Sequence, residues 1–358
     1  MTQGNIASII TSSLENVPLA KAVFGEVITL YITPWSHIMG CFGQLLSTAS
    51  REYTQVFLPK FNPKKYLECI QVSDFIYFSL LNLFINIFLQ NYKVAFIAVP
   101  PPIMNFLAKT PLFDKYDLSS LRMIISGAAP LTKELDEQVK KRFNDNIFIL
   151  QAYGQTESTL GVLHTNLENS KPGSVGQVAK GMYGKVIDEK GRTLGPNQVG
   201  ELCFKGPYVM KGYINNPEAT SITIDKDGWL HTGDLGYYDE NKQFFVVDRL
   251  KELIKYKAFQ VAPAEIEGLL LSNPKIKDAG VIGIPDEAAG ELPFAFIVKD
   301  PNTDLTEQDV KDFVSKNISN PKWLRGGVKF IDEIPKNPSG KILRREMKEL
   351  YKSMKAKL

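Results

Sequence analysis

The sequence predicts an α/β protein in which a parallel sheet with helices is followed by a β-barrel-like segment and a small α+β domain. Before residue 151, short apolar runs alternate with small-residue turns and amphipathic runs, which is typical of a parallel sheet. From residue 160 to 247 the apolar runs are short and turn residues are frequent, which indicates a β-barrel-like segment. After residue 248, strand-like and helix-like runs alternate again, as in a compact α+β domain.

Length and composition bound the possible functions. A chain of 358 residues with 44% hydrophobic and 23% charged residues is typical of a soluble globular protein with two or three domains. The net charge of +3 is too small to indicate nucleic-acid binding. Cys41, Cys69 and Cys203 are too widely spaced for a disulfide framework or a zinc site, and the three histidines are also far apart. No secretory signal opens the sequence, so we expect a reducing compartment.

The first apolar run, residues 26–32, predicts a buried strand that ends at Thr33 and Pro34. His37 follows among aromatic residues and glycines. A single histidine in such surroundings is usually a core residue, but loops at the carboxyl ends of strands are also where α/β proteins bind ligands. Both interpretations stay open for His37.

Residues 72–90 differ from the rest of the chain because they are nearly uncharged and rich in Phe, Ile, Leu and Asn. A membrane span needs about 20 apolar residues, and the uninterrupted part is shorter, so we expect no integral membrane segment. A buried core helix would also be unusual without any polar face. We hypothesise a retained intron, because AT-rich codons specify these residues and the stretch begins with Val and ends with Gln, whose codons can carry intron-end letters. Sequencing the spliced transcript would test this.

The sheet pattern continues with predicted strands at residues 95–99 and 121–125 and an amphipathic helix at about 132–143. Gly127, Ala128 and Ala129 follow the second of these strands. Such small residues let the backbone approach a flat ligand closely, although tight packing against a neighbouring strand would need the same residues.

Residues 151–159, with the sequence QAYGQTEST, follow a predicted strand at 146–150. Gly154 allows the backbone to turn there, and Thr156 and Glu157 then present a hydroxyl and a carboxylate. A strand end of this kind can hold a nucleotide phosphate and its magnesium ion. A polar turn with a solvated glutamate is the simpler alternative.

The segment from 160 to 247 contains predicted strands at 199–204, 209–213 and 243–247. Asp234 ends the run GWLHTGD at 228–234, where we expect a turn flanked by glycine. A carboxylate in this position can accept hydrogen bonds from ribose hydroxyls, and an Asx turn explains it equally well.

The last segment begins with a charged, hinge-like stretch at 248–257. We then expect helices at 263–272 and 306–318 and strands at 277–284 and 293–299. Lys341 lies on a loop rich in Pro and Gly, before a basic helix. A lysine in such a loop is usually only solvated.

Several motifs together resemble those of the adenylate-forming enzymes, in the branch that contains 4-coumarate–CoA ligases, peroxisomal acyl-CoA synthetases and beetle luciferases. The resemblance extends from residue 2 to the end of the chain. The motifs, in chain order, are SGAAP at 126–130, QAYGQTE at 151–157, GWLHTGD at 228–234, VDRLKELIK at 247–255, QVAPAE at 260–265 and PSGK at 338–341.

The resemblance implies an ATP-dependent carboxylate–CoA ligase that requires Mg²⁺. A carboxylic acid first reacts with ATP to give an acyl-adenylate, and the thiol of coenzyme A then displaces AMP. The family organisation implies an incomplete AMP-binding α/β subdomain at 1–159, a β-barrel-like subdomain at 160–247 and a mobile C-terminal domain at 248–358, with a hinge at 248–251.

The resemblance also assigns roles to individual residues. Gly127, Ala128 and Ala129 are expected to flank the adenine and Tyr153 to stack on it. Gly154 is expected among the residues that bind the nucleotide cofactor. Thr156 is expected at the phosphates and Glu157 at Mg²⁺, and His37 beside the acyl group. The ribose would be held by Asp234 and Arg249. Lys341 would act in adenylate formation, and Lys255 and Gln260 would face the site during thioester formation.

Three departures from the family pattern modify these expectations. The Ser/Thr/Gly-rich phosphate loop, which normally precedes the segment matching residues 2–5, is missing, so we expect impaired ATP turnover or an inactive fragment that at most binds AMP. Ala258 replaces the usual glycine beside the coenzyme A tunnel. Ile9 stands where luciferases usually have an arginine, and Met39 where an aromatic residue is common, which speaks against luciferin monooxygenation.

The final residues, Ala356-Lys357-Leu358, closely resemble the Ser-Lys-Leu peroxisomal address. A frayed basic helix end is the alternative. With the family resemblance, this ending predicts a peroxisomal location and a peroxisomal import receptor as a partner, beside the small-molecule carboxylic acid substrate.

Overall fold

The structure, a computed structural model, describes most of the chain. The described residues are 1–14, 27–33, 37–41, 54–71, 93–129, 131, 133–165, 170–301, 303–337 and 340–355. The suspected intron product at 72–90 and the C-terminal residues 356–358 lie outside them.

The described residues form both helices and strands. The helices are α1 (Gln3–Leu14), α2 (Pro63–Ile70), α3 (Pro101–Lys109), α4 (Lys133–Arg142), α5 (Pro217–Thr223), α6 (Pro263–Ser272), α7 (Glu307–Asn317) and α8 (Arg344–Lys355). The strands are β1 (Ile28–Tyr31), β2 (Thr54–Phe57), β3 (Phe96–Val99), β4 (Met123–Ser126), β5 (Phe148–Gln155), β6 (Leu160–His164), β7 (Gln177–Val178), β8 (Tyr183–Ile187), β9 (Gly200–Lys205), β10 (Leu230–Tyr238), β11 (Phe244–Arg249), β12 (Ile254–Tyr256), β13 (Phe259–Val261), β14 (Ile276–Asp286), β15 (Gly290–Lys299) and β16 (Gly327–Phe330). Among the described residues, no helix combines the length and apolar character that crossing a membrane requires.

The largest sheet has seven strands in the order β2-β1-β3-β4-β5-β6-β7. Strands β1 to β5 pair in parallel, whereas β6 and β7 are antiparallel additions. The carboxyl ends of the parallel strands therefore share one edge, where Ser126 and Gln151 are register partners. The predicted parallel α/β sheet is confirmed.

Buried apolar side chains hold this sheet to its helices. Strand β3 is buried at every position, as expected for a central parallel strand. Leu30, Ile97 and Ile124 are fully buried and belong to one core cluster with residues of α2, α3 and α4. Each such side chain contributes about 1.5–3 kcal/mol when it leaves water. Helix α2 begins where the Asn62 side chain accepts a hydrogen bond from the Lys65 amide.

A four-stranded sheet has the order β11-β10-β9-β8. Its strands β9 and β11 confirm the predictions at 199–204 and 243–247. The predicted strand at 209–213 is wrong, because turn partners satisfy the backbone amides of this stretch. The Met210 amide donates to the Glu157 carbonyl, and the Tyr213 amide donates to Thr220 Oγ1.

The C-terminal sheet has the order β13-β12-β15-β14, with β16 pairing in parallel with β15. Helix α6 has the predicted bounds, and α7 begins with a capping box in which Thr306 and Asp309 satisfy each other's backbone amides. Fully buried Val281 and Ala295 pack with residues of both helices in one core cluster.

The chain divides into two compact units. The first contains residues 1–185, 203–231 and 241–244, and the second contains 186–202, 232–240 and 245–358. The three-part division predicted at residues 159 and 247 stays a prediction.

We expect Gly154→Ala to destabilise the first unit strongly. A Cβ at this position would lie 1.6 Å from the Leu160 carbonyl oxygen, so the β5–β6 hairpin would have to open. The free energy of unfolding should fall by about 3 kcal/mol or more, measured by guanidinium titration. Gly4→Ala is the control, because its Cβ would lie 3.6 Å from Thr2 Oγ1, an ordinary contact. Equal unfolding midpoints for the two variants would contradict the expectation.

Candidate functional site

The small-residue turn after β4 lies against β5. The Gly127 amide donates to the Val99 carbonyl at 3.3 Å, and a Cβ on Gly127 would lie 3.1 Å from the Ala152 carbonyl oxygen. Packing against the neighbouring strand therefore explains Gly127. Ala128, with a φ of 70°, and Ala129 are exposed at the carboxyl edge of the sheet.

The backbone does not turn at Gly154 as the sequence suggested. Strand β5 continues to Gln155, with a register shift between Tyr153 and Gly154. Gly154 is needed for the close approach to Leu160 rather than for a turn. The chain reverses one step later, in a 3₁₀ helix at Thr156–Ser158 followed by Thr159 in the left-handed conformation.

Buried hydroxyls hold this reversal. Ser158 Oγ accepts from the Gln155 amide at 2.9 Å, and Thr159 Oγ1 donates to the Tyr208 carbonyl at 2.7 Å. Thr159 is fully buried, whereas Thr156 is exposed and Glu157 is half-buried. The turn thus fixes its own backbone with two side chains and presents the other two.

Glu157 has a tyrosine partner. The Tyr213 hydroxyl donates to Glu157 Oε1 at 2.7 Å, and the Met210 amide donates to the Glu157 carbonyl at 2.8 Å. Burial, followed by the hydrogen bond to Glu157, raises the pKa of Tyr213, so its hydroxyl stays a donor. Sequence reasoning missed Tyr213 because it placed 209–213 in a strand. The signal was available in Asn216, which caps α5 and therefore marks a turn just before it.

Tyr153 lies on an aromatic row. Its ring centroid is 6.0 Å from that of Phe204, which in turn lies 6.2 Å from that of Phe244. Phe204 is fully buried, and Tyr153 is half-buried. The buried row fixes the position of the tyrosine ring.

His37 closes a short turn beyond β1. Its Nδ1 accepts from the Met39 amide at 3.2 Å, and its carbonyl accepts from the Cys41 amide at 3.0 Å. With Nδ1 acting as the acceptor, the ring proton lies on Nε2. These contacts orient the ring, and the expected role beside an acyl group stays a prediction.

In the first unit, Cys203, His231 and Asp225 also lie close together, although no sequence motif connects them. Cys203 Sγ lies 3.8 Å from His231 Nδ1, and His231 Nε2 lies 3.4 Å from Asp225 Oδ2. Cys203 is fully buried.

In the second unit, Asp234 lies inside strand β10 and not on the expected turn. Gly233, just before it, has a φ of 69°, and its amide donates to Glu201 Oε1 at 3.0 Å. Asp234 is 8% exposed, and its Oδ1 lies 3.5 Å from Arg249 Nε at the end of β11. The structure therefore brings together the two residues expected at the ribose.

Lys341 lies in a hairpin, which we call the lysine hairpin and define as residues 335–343 without the undescribed 338 and 339. The Asn337 amide donates to the Lys341 carbonyl, and the Lys341 amide donates to Asn337 Oδ1, both at 2.9 Å. Lys336 and Ile342 form a β-bridge across it. These bonds give Lys341 a defined backbone.

The Lys341 ammonium lies in a charged and partly desolvated environment. Burial is the main cause that lowers its pKa, and the positive charges of Arg249 and Lys251 act in the same direction. The carboxylates of Glu252 and Asp234 oppose the shift. Lys341 is thus half-buried beside the Asp234–Arg249 pair, not simply solvated.

Lys255 and Gln260 share the β12–β13 hairpin, where they are register partners. Both are exposed, and Gln260 Nε2 donates to Glu189 Oε1 at 3.1 Å. The positive φ of this hairpin falls on Lys257 at 52° and not on Ala258, so the Ala258 methyl is compatible with its backbone.

The predicted site residues fall into two groups. Those of the first unit are His37, Gly127, Ala128, Ala129, Tyr153, Gly154, Thr156 and Glu157, and those of the second are Asp234, Arg249, Lys255, Gln260 and Lys341.

Comparison with known families gives two matches. Residues 1–214 match the family described as AMP-binding enzyme, and residues 265–341 match the AMP-binding enzyme C-terminal domain.

Similar curated proteins include both ligases and luciferases. The luciferin 4-monooxygenase of Photuris pensylvanica is 55% identical over 75% of this chain and 50% of its own length. The 4-coumarate–CoA ligase 2 of Nicotiana tabacum is 43% identical over 91% of this chain and 57% of its own length. The chain thus spans about half the length of the curated relatives that it matches.

Solved structures agree with these matches. ATP-bound MatB from Rhodopseudomonas palustris has a TM-score of 0.83 and 26% identity, covering 99% of this chain and 65% of that one. The o-succinylbenzoate CoA synthetase of Bacillus subtilis, in complex with its acyl-adenylate intermediate, has a TM-score of 0.77 and 27% identity, covering 97% of this chain and 65% of that one.

We expect Thr159→Val to lower the free energy of unfolding by about 1–3 kcal/mol, because it leaves the buried Tyr208 carbonyl without its donor while keeping the side-chain shape. Thr156→Val is the matched control, since the Thr156 side chain is exposed on the same turn. Urea titrations of both variants provide the measurement. Destabilisation by Thr156→Val as large as that by Thr159→Val would show that the hydrogen bond is not the cause.

Proposed function

The chain belongs to the AMP-binding enzymes, a family of adenylate-forming enzymes, and from this premise we propose that it acts as an ATP-dependent carboxylate–CoA ligase. The single observation that supports this most directly is the half-buried Lys341 beside Asp234 and Arg249. These three residues combine a cation for a phosphate with a carboxylate for a ribose.

In the proposed first step, a carboxylate oxygen of the substrate attacks the α-phosphorus of ATP and pyrophosphate leaves. Lys341 binds both the attacking carboxylate and the α-phosphate oxygens, which offsets the negative charge that gathers between them. Asp234 accepts hydrogen bonds from the ribose hydroxyls, and the Arg249 guanidinium, 3.5 Å away, orients that carboxylate. Tyr153 and the Gly127–Ala129 backbone contact the adenine.

Mg²⁺ fits the groups on the 156–157 turn. Thr156 offers an exposed hydroxyl and Glu157 a half-buried carboxylate, which are the hard oxygen donors that this ion prefers. Tyr213 occupies Glu157 Oε1 and thereby orients the carboxylate. Bound there, Mg²⁺ would neutralise charge on the phosphates of ATP.

In the proposed second step, the thiol of coenzyme A attacks the acyl carbon and AMP leaves. The exposed β12–β13 hairpin, with Lys255 and Gln260, faces the adenylate in this step after rotation about the 248–251 hinge. Asp248 anchors one side of this hinge, because its carboxylate accepts from the Arg249 amide at 2.7 Å and from the Ala264 amide of α6 at 2.9 Å. The Ala258 methyl is compatible with this hairpin.

Luciferin monooxygenation is a second candidate, supported by the identity of 52–55% to three beetle luciferases. It also proceeds through an adenylate. Ile9 and Met39 depart from the luciferase pattern at the positions noted above, so we favour the ligase. A protein that binds AMP without turnover is the third candidate. The peroxisomal location stays a prediction from residues 356–358.

ATP–pyrophosphate exchange tests the adenylation step. We expect exchange with at least one member of a panel of fatty and cinnamic acids, and its reduction by about 10²–10³-fold in Lys341→Ala. The thioester step from a supplied acyl-adenylate should be retained in that variant. D-luciferin in the same panel, with light detection, tests the second candidate. Absence of exchange with every acid, for this chain and for the protein purified from its native source, would reject the ligase proposal.

The pH dependence of adenylation should report the lowered pKa of Lys341. The lysine acts as a cation, so the rate should fall as pH rises through a pKa below the ordinary lysine value of 10.5. Lys341→Arg should be slower but lose this alkaline decline, because arginine keeps its proton throughout the range. Initial exchange rates between pH 6 and 10 provide the measurement. An identical alkaline limb in the arginine variant would assign the titration to another group.

A further inference from the structure

The second unit contains a series of residues with alternating charge, which we call the ion-pair network. Its members are Asp234, Arg249, Glu252, Arg344 and Glu267. Asp234 lies 3.5 Å from Arg249, and Arg249 Nη1 lies 4.0 Å from Glu252 Oε1. The other oxygen of Glu252 accepts from Arg344 Nε at 2.8 Å. Arg344 then donates from both terminal nitrogens to the two oxygens of Glu267, at 2.5 and 3.1 Å.

Arg344 is the buried centre of this ion-pair network. Its side chain is 12% exposed, and those of Glu252 and Glu267 are 20% and 9% exposed. Arg344 Nη1 also donates to the Val281 carbonyl at 3.1 Å, while Glu267 Oε1 accepts from the Val281 amide at 2.8 Å. Charges this far from water persist only when they are paired and hydrogen-bonded, so the geometry of Arg344 is tightly fixed.

The fixed guanidinium belongs to the first residue of α8, three positions after Lys341. At the other side of the lysine hairpin, Lys336 Nζ lies 2.5 Å from Asp278 Oδ2. Both Asp278 and Val281 are residues of β14. The two sides of the lysine hairpin are therefore tied to the same strand, one by Lys336 and the other by Arg344.

We propose that Arg344 and Glu252 are positioning residues for Lys341, with Arg344 fixing the lysine hairpin on β14 and Glu252 linking that anchor to Arg249. This inference rests on the proposed function for the role of Lys341 in adenylation. Neither residue touches the reacting atoms in the proposal. They act by holding the Lys341 backbone and by setting the charge around its ammonium.

The effect of Glu252 on charge separates positioning from simple stabilisation. The charged groups that face the Lys341 ammonium are Arg249, Lys251, Glu252 and Asp234. Glu252 is one of the two that raise the pKa of Lys341, so the isosteric Glu252→Gln should lower that pKa further. The alkaline decline of adenylation should then begin at lower pH. An ion pair that only stabilises the unit would not move it.

The chain offers a matched control for Arg344 in its neighbour. Arg345 is 93% exposed and pairs only with Glu349, one turn along α8, among the described residues. A lysine at 344 keeps the charge but, as a single point donor, cannot reproduce the bonds to Glu252, Glu267 and Val281 together. Arg344→Lys and Arg345→Lys therefore make the same chemical change at a buried and an exposed position.

The experiment compares Arg344→Lys, Arg345→Lys and Glu252→Gln in two measurements on the whole chain. Amide hydrogen exchange should be at least tenfold faster at Asn337, Gly340, Lys341 and Leu343 in Arg344→Lys, because these amides hold the lysine hairpin. The adenylation kcat should fall by about tenfold or more, with the KM for ATP within about threefold, since misplacement of a reacting group lowers turnover. Arg345→Lys should match the unchanged chain in both measurements.

Each outcome of this experiment supports or contradicts the positioning role of Arg344 and Glu252. Folded Arg344→Lys with unchanged hairpin exchange and unchanged kcat would overturn the proposal, as would an alkaline limb that Glu252→Gln leaves in place. If Arg344→Lys does not fold, Glu252→Gln, which preserves volume, carries the test. If the unchanged chain adenylates no acid, the proposed function fails, and the hairpin exchange together with the pH dependence of Lys341 labelling by an amine reagent still decides the positioning role.

Discussion

Parallel, in-register pairing of β3, β4 and β5 is the constraint on which the first unit depends. It aligns Ser126 with Gln151, so the motifs that begin at these two residues start side by side on neighbouring strands. The backbones then come so close that a Cβ at 154 would clash with the Leu160 carbonyl, and a Cβ at 127 would be tight against the Ala152 carbonyl. The packing leaves three positions exposed, where a ligand can reach them: Ala128, Ala129 and Thr156.

The second unit uses charge where the first uses close backbone packing. Arg344 holds residues from three distant parts of the chain, and this arrangement places Lys341 near Arg249 and Asp234. Buried ion pairs add little net stability because desolvation offsets their attraction. Here the directional hydrogen bonds of Arg344 matter more than net stability, because they fix the position of Lys341. The partly desolvated Lys341 ammonium interacts more strongly with a phosphate than a fully solvated ammonium would.

The proposed hinge at residues 248–251, which would allow two reactions at one site, begins with two residues that have defined partners. Asp248 caps α6, and burial raises the pKa of its carboxyl despite the amide bonds that favour the ionised form. Arg249, the next residue, turns back toward Asp234. Asp248 is thus fixed to α6 and Arg249 is paired with strand β10, so both contacts would bear on the proposed rotation about residues 248–251.

By itself, the sequence determined the family and part of the helices and strands. The β3 region and the whole of α6 follow from local periodicity and from proline and capping signals, which do not depend on distant residues. Only the tertiary structure decided where the chain turns at 154–159, that Asp234 lies within a strand, and that Tyr213 binds Glu157. Arg344 meets Glu252 and Glu267 across 92 and 77 positions of sequence. In the sequence such an arginine looks like part of a solvated basic helix, because burial and pairing exist only after distant segments pack together.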